Sequence, residues 1–286
     1  MNKPTIQKNA TRLIILLLLW ISQLTIANAQ STITSSVAGG NWTNAATWIG
    51  NVVPAAGDNV IINSNVYVNS DVQCNSLTVN SGDTLCNLYG YSITVTVVGS
   101  LVNNGIILNN PSGYSLYLSI SGDIENNGTW NVSKTTLAGS TIQTMKETAG
   151  KLFEGPFYMS DSIGDVMLSS DVMMSGSNWN LNRTTIQTNG HQLITDSYTL
   201  RNGYVSSNDK MDFDETTIQD LTINGAFTLD GKIYSQGGNV FKGTVTVADT
   251  IVNLYGWTNT INVEGKIINN GAVINNPSGY SLYVDV

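Results

Sequence analysis

From about residue 30 onward the chain alternates apolar and polar positions with a period of two, in short runs. Val60-Ile61-Ile62, Val66-Tyr67-Val68, Leu77-Thr78-Val79, Ile93-Thr94-Val95-Thr96-Val97 and Leu116-Tyr117-Leu118-Ser119-Ile120 are β-branched or aromatic, and Asn, Gly, Ser or Asp bounds each one. Side chains of a strand alternate between its two faces, so each run predicts a short strand with one buried face. No stretch beyond the N-terminus sustains apolar spacing at i, i+3, i+4 and i+7, so almost no helix is expected there.

The strand pattern is itself periodic. Gly-x-Leu/Ile-x-Asn-Asn-Gly occurs at 99–105, 122–128 and 265–271, so the first two copies begin at Gly99 and Gly122. A longer repeat overlies it: residues 253–286 align with 87–120 at a constant offset of 166, with 19 of 34 pairs identical. Seven units of about 24 residues fill that offset, as stacked coils require. Two or three short strands per roughly 20–24 residues predict an all-β fold, a right-handed parallel β-helix. A β-sandwich array is the competitor, but sandwiches repeat at about 100 residues. The Asn and Gly pairs supply corners, since both tolerate left-handed backbone; stacked one rung apart, the amides could also form a ladder.

Residues 1–29 read differently. Lys3, Lys8 and Arg12 precede an apolar run over 13–21 that ends in Ala27-Asn28-Ala29, the pattern of a cleaved secretory signal helix. The run is too short to span a bilayer, which takes about 20 residues, so no transmembrane segment is expected after cleavage. The remainder divides into an N-terminal cap at 30–65 and coils at 66–286. The charged stretch 145–165 marks an irregular insertion near 141–165, where a recognition loop is expected. The second copy stops at Val286, which points to a repeat array longer than this chain.

The formal charge of -8 becomes -11 once the three N-terminal cations are removed, nine Lys and Arg against twenty Asp and Glu. An acidic chain lacks the basic footprint that nucleic acid or anionic lipid needs, whereas divalent cations and neutral glycans remain compatible. Cys74 and Cys86 are the only cysteines; Cys86 aligns with Val252 in the second copy, which favours buried free thiols over a disulfide.

The segment Gly40-Asn41-Trp42, Thr47-Trp48-Ile49-Gly50, Val53-Pro54 and Gly57-Asp58-Asn59-Val60-Ile61-Ile62 resembles the opening of secreted, repeat-rich surface proteins of the Bacteroidota, similar to G8-type extracellular β-domains. The resemblance covers about residues 39–85. It implies that this segment caps the first coil, that the chain reaches the outer cell surface or medium, and that a type IX secretion system is its export route.

Little in the sequence points to catalysis. His191 is the only histidine, in a turn-like Thr-Asn-Gly-His-Gln-Leu setting, so zinc sites and Ser-His-Asp triads have at most one candidate. Asp209, Asp212, Asp214 and Glu215 form a candidate Ca2+ set without EF-hand spacing, or a solvated acidic loop; no other cofactor is implied. Arg183, Arg201, Lys210 and Lys232 are candidate bases for a polysaccharide lyase or glycosidase of the β-helix type. Tyr89, Tyr91, Tyr114 and Tyr117 recur as Tyr255, Trp257, Tyr280 and Tyr283. Tyr91 and Trp257 are the best candidates for exposed, sugar-stacking rings, and Trp42 and Trp48 either plug the cap or stack on sugar. The expectation is a monomeric, exported, non-enzymatic surface or adhesin-like solenoid that binds extracellular glycans or cell-surface components. The enzyme reading requires Arg183 or Arg201, the 209–215 acids and an aromatic to converge in one groove.

Overall fold

The structure, a computed structural model, describes residues 30–286 except 161–163, 255 and 278. The expected signal helix therefore lies outside the described residues. The unit from Thr32 to Val286 is a parallel β-solenoid of about eleven turns. Its only helical element among the described residues is the 3-10 turn Ala45–Thr47.

Each turn visits three faces. Face 1 holds Asn59–Ile62, Ser76–Val79, Leu101–Asn103 and Ile124–Asn126; face 2 holds Val66–Val68, Thr84–Asn87, Ile106–Leu108 and Thr129–Asn131; face 3 holds Val72–Cys74, Ile93–Val97, Leu116–Ile120 and Lys134–Leu137. Each strand pairs in parallel with its counterpart one turn on, as Ile93 does with Leu116 and Val97 with Ile120. Burial alternates strictly along Ile93–Val97 and Leu116–Ile120, so the period-two pattern places one set of residues inside on every rung. Further along, Thr199–Ser206, Thr216–Asp230, Gly238–Val247 and Asn259–Asn269 run round corners without a break.

The coils are less uniform than the short Gly-x-Leu/Ile-x-Asn-Asn-Gly repeat suggested. One turn carries Val95 to Leu118 in the early coils, whereas the later and distinctly shorter turn carries Phe227 to Val245. Coils shorten where strands turn corners directly instead of through loops. Following partners inward of face 3 from Val95 gives Leu118, Thr135, Phe157, Trp179, Leu200, Ile218, Ser235 and Asn253, which is eight steps. The residue that repeats Val95 is Ile261, which lies on the next face, beside Asn239. The long repeat thus spans eight turns and one further face, not seven whole turns, and its two copies occupy different corners.

From Gln143 to Met159 the expected insertion near 141–165 is built of regular rungs. Gln143–Glu147, Phe153–Glu154 and Phe157–Met159 are regular strands of faces 1, 2 and 3. Met145, Phe153, Phe157 and Met159 point inward and Glu147 joins them, while Lys146 and Lys151 are exposed. Phe153 meets Trp130 and Phe157 edge-on in the core (centroids 5.2 Å for Trp130 and Phe153, 5.6 Å for the two phenylalanines). The region expected as a separate cap also contributes rungs, since Thr32–Thr34 pairs with Asn59–Ile62 on face 1.

The Asn-Asn-Gly corners do both jobs expected of them. Asn103 Nδ2 donates to Asn126 Oδ1 at 2.9 Å inside the core, and Asn127 Nδ2 donates to Asn104 Oδ1 at 2.8 Å outside. Each inner amide also accepts from the following glycine N–H (Gly105 to Asn103, Gly128 to Asn126), closing the corner. Glycine is required by the stacking itself: a Cβ on Gly128 would lie 2.0 Å from the Gly105 carbonyl oxygen.

Because Asn126 is fully buried and its amide serves the ladder, the corner and the Leu152 carbonyl, Asn126→Ala should cost about 1–3 kcal/mol. Asn127→Ala, whose amide is partly exposed, should cost less than about 0.5 kcal/mol. Thermal melts of the two variants check this order, and equal losses would contradict the ladder.

Candidate functional site

The inside of the solenoid offers little chemistry. Cys74 and Cys86 are buried free thiols on faces 3 and 2; burial pushes them up to about 12 and about 11, so neither is a ready nucleophile. Trp42 and Trp48 are each 1% exposed and meet edge-on at 5.0 Å, with Trp48 Nε1 donating to the Trp42 carbonyl at 2.7 Å. They fill the core under the first full rung, and their ring faces are closed to a sugar, which corrects their place among the ligand-binding candidates.

The acidic cluster does not gather round one point. Lys210, Asp212 and Asp214 share the outward side of face 2 on Lys210–Asp214. Lys210 Nζ bridges Asp230 at 2.6 Å and Asp212 at 3.5 Å, and its hydrogen bond holds the Asp230 carboxyl below its ordinary value. Glu215, at the next corner, accepts from Tyr234 Oη at 2.7 Å and Lys232 Nζ at 2.9 Å, which lowers its pKa likewise. Asp209 lies at the opposite corner, in a shallow groove beside Asn189 and Asn208. Among the described residues no three His, Cys, Asp or Glu side chains are placed to hold a metal ion. Asp212 and Glu215 meet lysines instead of one another, so Asp209, Asp212, Asp214 and Glu215 form no calcium cradle. The same pairing engages Lys210 and Lys232, which the sequence offered as bases.

The repeated aromatics are outside. Tyr91 is 50% and Trp257 52% exposed. In the first copy Tyr89 and Tyr114, from adjacent rungs, meet edge-on at 6.1 Å. Tyr117 is half-buried and engaged, with Lys134 Nζ 5.6 Å from its ring centre. Tyr280 and Tyr283 are exposed, and Tyr255 lies outside the described residues. The two copies are built alike although they sit on different corners. Asn87 Nδ2 donates to the Tyr91 carbonyl and Asn87 Oδ1 accepts from Asn110 N, both at 2.8 Å. Asn253 repeats this with Trp257 at 3.0 Å and Asn276 at 2.5 Å. Leu116 N to Asn109 Oδ1 (2.8 Å) is likewise repeated by Leu282 N to Asn275 Oδ1 (2.7 Å). The cassette is a two-rung protruding corner that carries its aromatics wherever it is placed.

A second feature was not singled out in the sequence. At the corner between faces 3 and 1, Asn180, Asn182, Arg183, Asn202, Tyr204 and Asp220 line an open groove of about 440 Å3. Asn182, Arg183, Asn202 and Asp220 all have left-handed backbone, with φ of 45°, 68°, 59° and 48°. Only the recurrence of Asn or Asp at 182, 202 and 220 hinted at a shared corner. The groove brings Arg183 together with an aromatic and a carboxylate, but Asp212 and Asp214 are on face 2, so the convergence required for the enzyme reading is not made. Arg201 sits on face 3 beside Asn180, and its Nε is buried with no protein acceptor.

Among the described residues no helix is long and apolar enough to cross a membrane. Compared with family models, curated proteins and solved structures, the chain matches none.

One buried acid gives a test of these electrostatics. Glu147 points into the core at 6% exposure, its Oε2 accepts from Met173 N at 3.0 Å, and burial, reinforced by Asp171, pushes its carboxyl up to about 8. His191 Nδ1 lies 3.8 Å from Asp171 on the far side. A raised acid pKa means the folded chain holds a proton that the unfolded chain has released. The contribution of Glu147 to stability is therefore fully present below about pH 4.5 and is lost as pH rises toward 8, by at most about 1.4 kcal/mol per unit. The melting temperature of the parent relative to Glu147→Gln should decline as pH rises from about 4.5 to about 8, and a difference that stays constant over this window would contradict the buried acid.

Proposed function

We propose that the protein is an exported, non-catalytic surface solenoid that binds neutral extracellular glycans through its protruding aromatic corners. The observation that carries this reading is the cassette itself. Inward residues recur because every rung must fill the same core, but Tyr91 and Trp257, and likewise Tyr114 and Tyr280, recur while exposed, where core packing asks for nothing. Exposed aromatic rings present apolar faces with a polar tip, the combination that stacks on a sugar ring while its hydroxyls stay wet. The acidic balance of the chain disfavours polyanions and leaves neutral sugars. Export rests on the residue 1–29 pattern, and the type IX route and outer-surface location rest on the resemblance of residues 39–85.

Two measurements test the reading. Isothermal titration of the full chain with cello-, xylo-, manno- and laminarihexaose should give binding to at least one sugar, weakened about two- to tenfold by Tyr91→Ala or Trp257→Ala and further in the double variant. Binding equal to the parent in the double variant, or no binding in the parent, overturns it. Expressed in a bacterium with an outer membrane, the protein should be recovered outside the cytoplasm with Gln30 as its first residue; an intact Met1 contradicts export by cleavage.

A further inference from the structure

We infer that the groove at the corner of faces 3 and 1 is a second glycan subsite that takes the hydroxyls of a neutral sugar, and that it shares one track with the Trp257 corner. The inference rests on the glycan reading and deepens it, because it names a hydrogen-bonding subsite where that reading names only stacking.

The lining matches a polyol. Asn180 Oδ1 is taken by Asn182 N and by Asn202 Nδ2 (both 3.2 Å), so Asn180 offers its Nδ2 as donor and Asn202 its Oδ1 as acceptor, Arg183 adds a fork of donors, and Asp220 adds a carboxylate acceptor. A sugar hydroxyl both donates and accepts, so a mixed lining satisfies it where a purely cationic one would select anions. Arg183 makes no ion pair among the described residues. Its charge is matched across the groove by Asp220, whose Oδ1 accepts from Gly238 N at 2.9 Å. Opposite unit charges leave the groove near neutral, which disfavours a uronate or a sulfated chain. Tyr204, 41% exposed, supplies an apolar ring on the same wall.

The backbone adds an independent reason to look here. A left-handed arginine is uncommon and costs about 1–2 kcal/mol relative to a relaxed backbone, whereas glycine adopts the same angles freely. Stability alone would favour glycine at position 183, as at Gly237 (φ 70°) on the same corner. A costly backbone that turns a long donor side chain into a groove fits a selected ligand contact.

The corner then rises to the aromatic turn. Arg183 N donates to the Asn202 carbonyl at 2.7 Å, Asp220 and Gly237 follow on successive rungs, and Gly237 N donates to Asn259 Oδ1 at 2.8 Å, just past Trp257. Four rungs at about 4.7–4.9 Å put Trp257 about 19 Å along the corner from Arg183. An extended oligosaccharide laid along it would reach both, so affinity should climb with chain length beyond what either subsite gives.

The test is titration of the full chain with the tri- and hexasaccharides of the four neutral series above, and with hexagalacturonate as the acidic probe. Arg183→Gly, which relieves the backbone and should hold or raise the melting temperature, is expected to weaken the bound hexasaccharide at least about tenfold. Tyr204→Ala should weaken it severalfold, and the parent should prefer hexa- to trisaccharide. If both groove variants bind as the parent does while Tyr91→Ala and Trp257→Ala weaken binding, the groove inference fails and the aromatic reading stands. If binding survives the aromatic variants and is lost in Arg183→Gly, the groove stands alone. Tighter binding of hexagalacturonate than of every neutral sugar overturns the neutral assignment, and no binding of any sugar by the parent removes both.

Discussion

A rung of this solenoid cannot satisfy its own backbone. Its strands are short over most of the chain and pair with neighbouring rungs, so their amides and carbonyls depend on the rung above or below. Parallel, in-register stacking is the constraint on which everything else depends. It forces one inward column per face, because a slip of one residue would turn every apolar side chain to solvent. It also forces backbones together at the corners, where a 2.0 Å approach admits only glycine at position 128.

The same constraint explains the interchangeability of the faces. All three are built from parallel strands with alternating inward residues, so a sequence that fits one corner fits another. That is why the second cassette, far along the chain and displaced by one face, re-forms the hydrogen bonds of Asn87, Asn109 and Asn110 through Asn253, Asn275 and Asn276. Because what a corner presents to solvent depends on what protrudes and not on which face bears it, duplication onto a new corner multiplies exposed aromatic surface without disturbing the core. The second cassette also comes to lie on the corner occupied by the Arg183 groove, a proximity that the first copy does not have.

Much of the fold was legible because it is written in local alternation: the runs at 60–62, 93–97 and 116–120 are strands at those positions, and Asn103-Asn104-Gly105 is a corner. Coil length was less legible, since coils shorten where corner loops vanish, and the loss leaves no motif behind. The charge of residues 143–159 suggests irregularity, whereas Lys146 and Glu125 simply pair across rungs on the outside at 3.0 Å. Exposure of Tyr91 and Trp257 followed from their turn setting. Burial of Trp42 and Trp48 was one of the two readings open in the sequence, and the fold-back of residues 32–49 under the first rung decides it; the Arg183 groove is made by residues that meet only across rungs.

Register over many rungs is the claim on which the corner assignments stand, and a spin-label distance tests it most directly. Thr96 and Gln236 lie in one outward column of face 3, joined through Ser119, Thr136, Tyr158, Asn180, Arg201 and Gln219 in seven steps. Labels at these two positions should give a single narrow distance of about 34 Å, the product of seven steps and the usual strand spacing of about 4.8 Å. A distance below about 25 Å, above about 45 Å, or a broad distribution would contradict a continuous in-register stack.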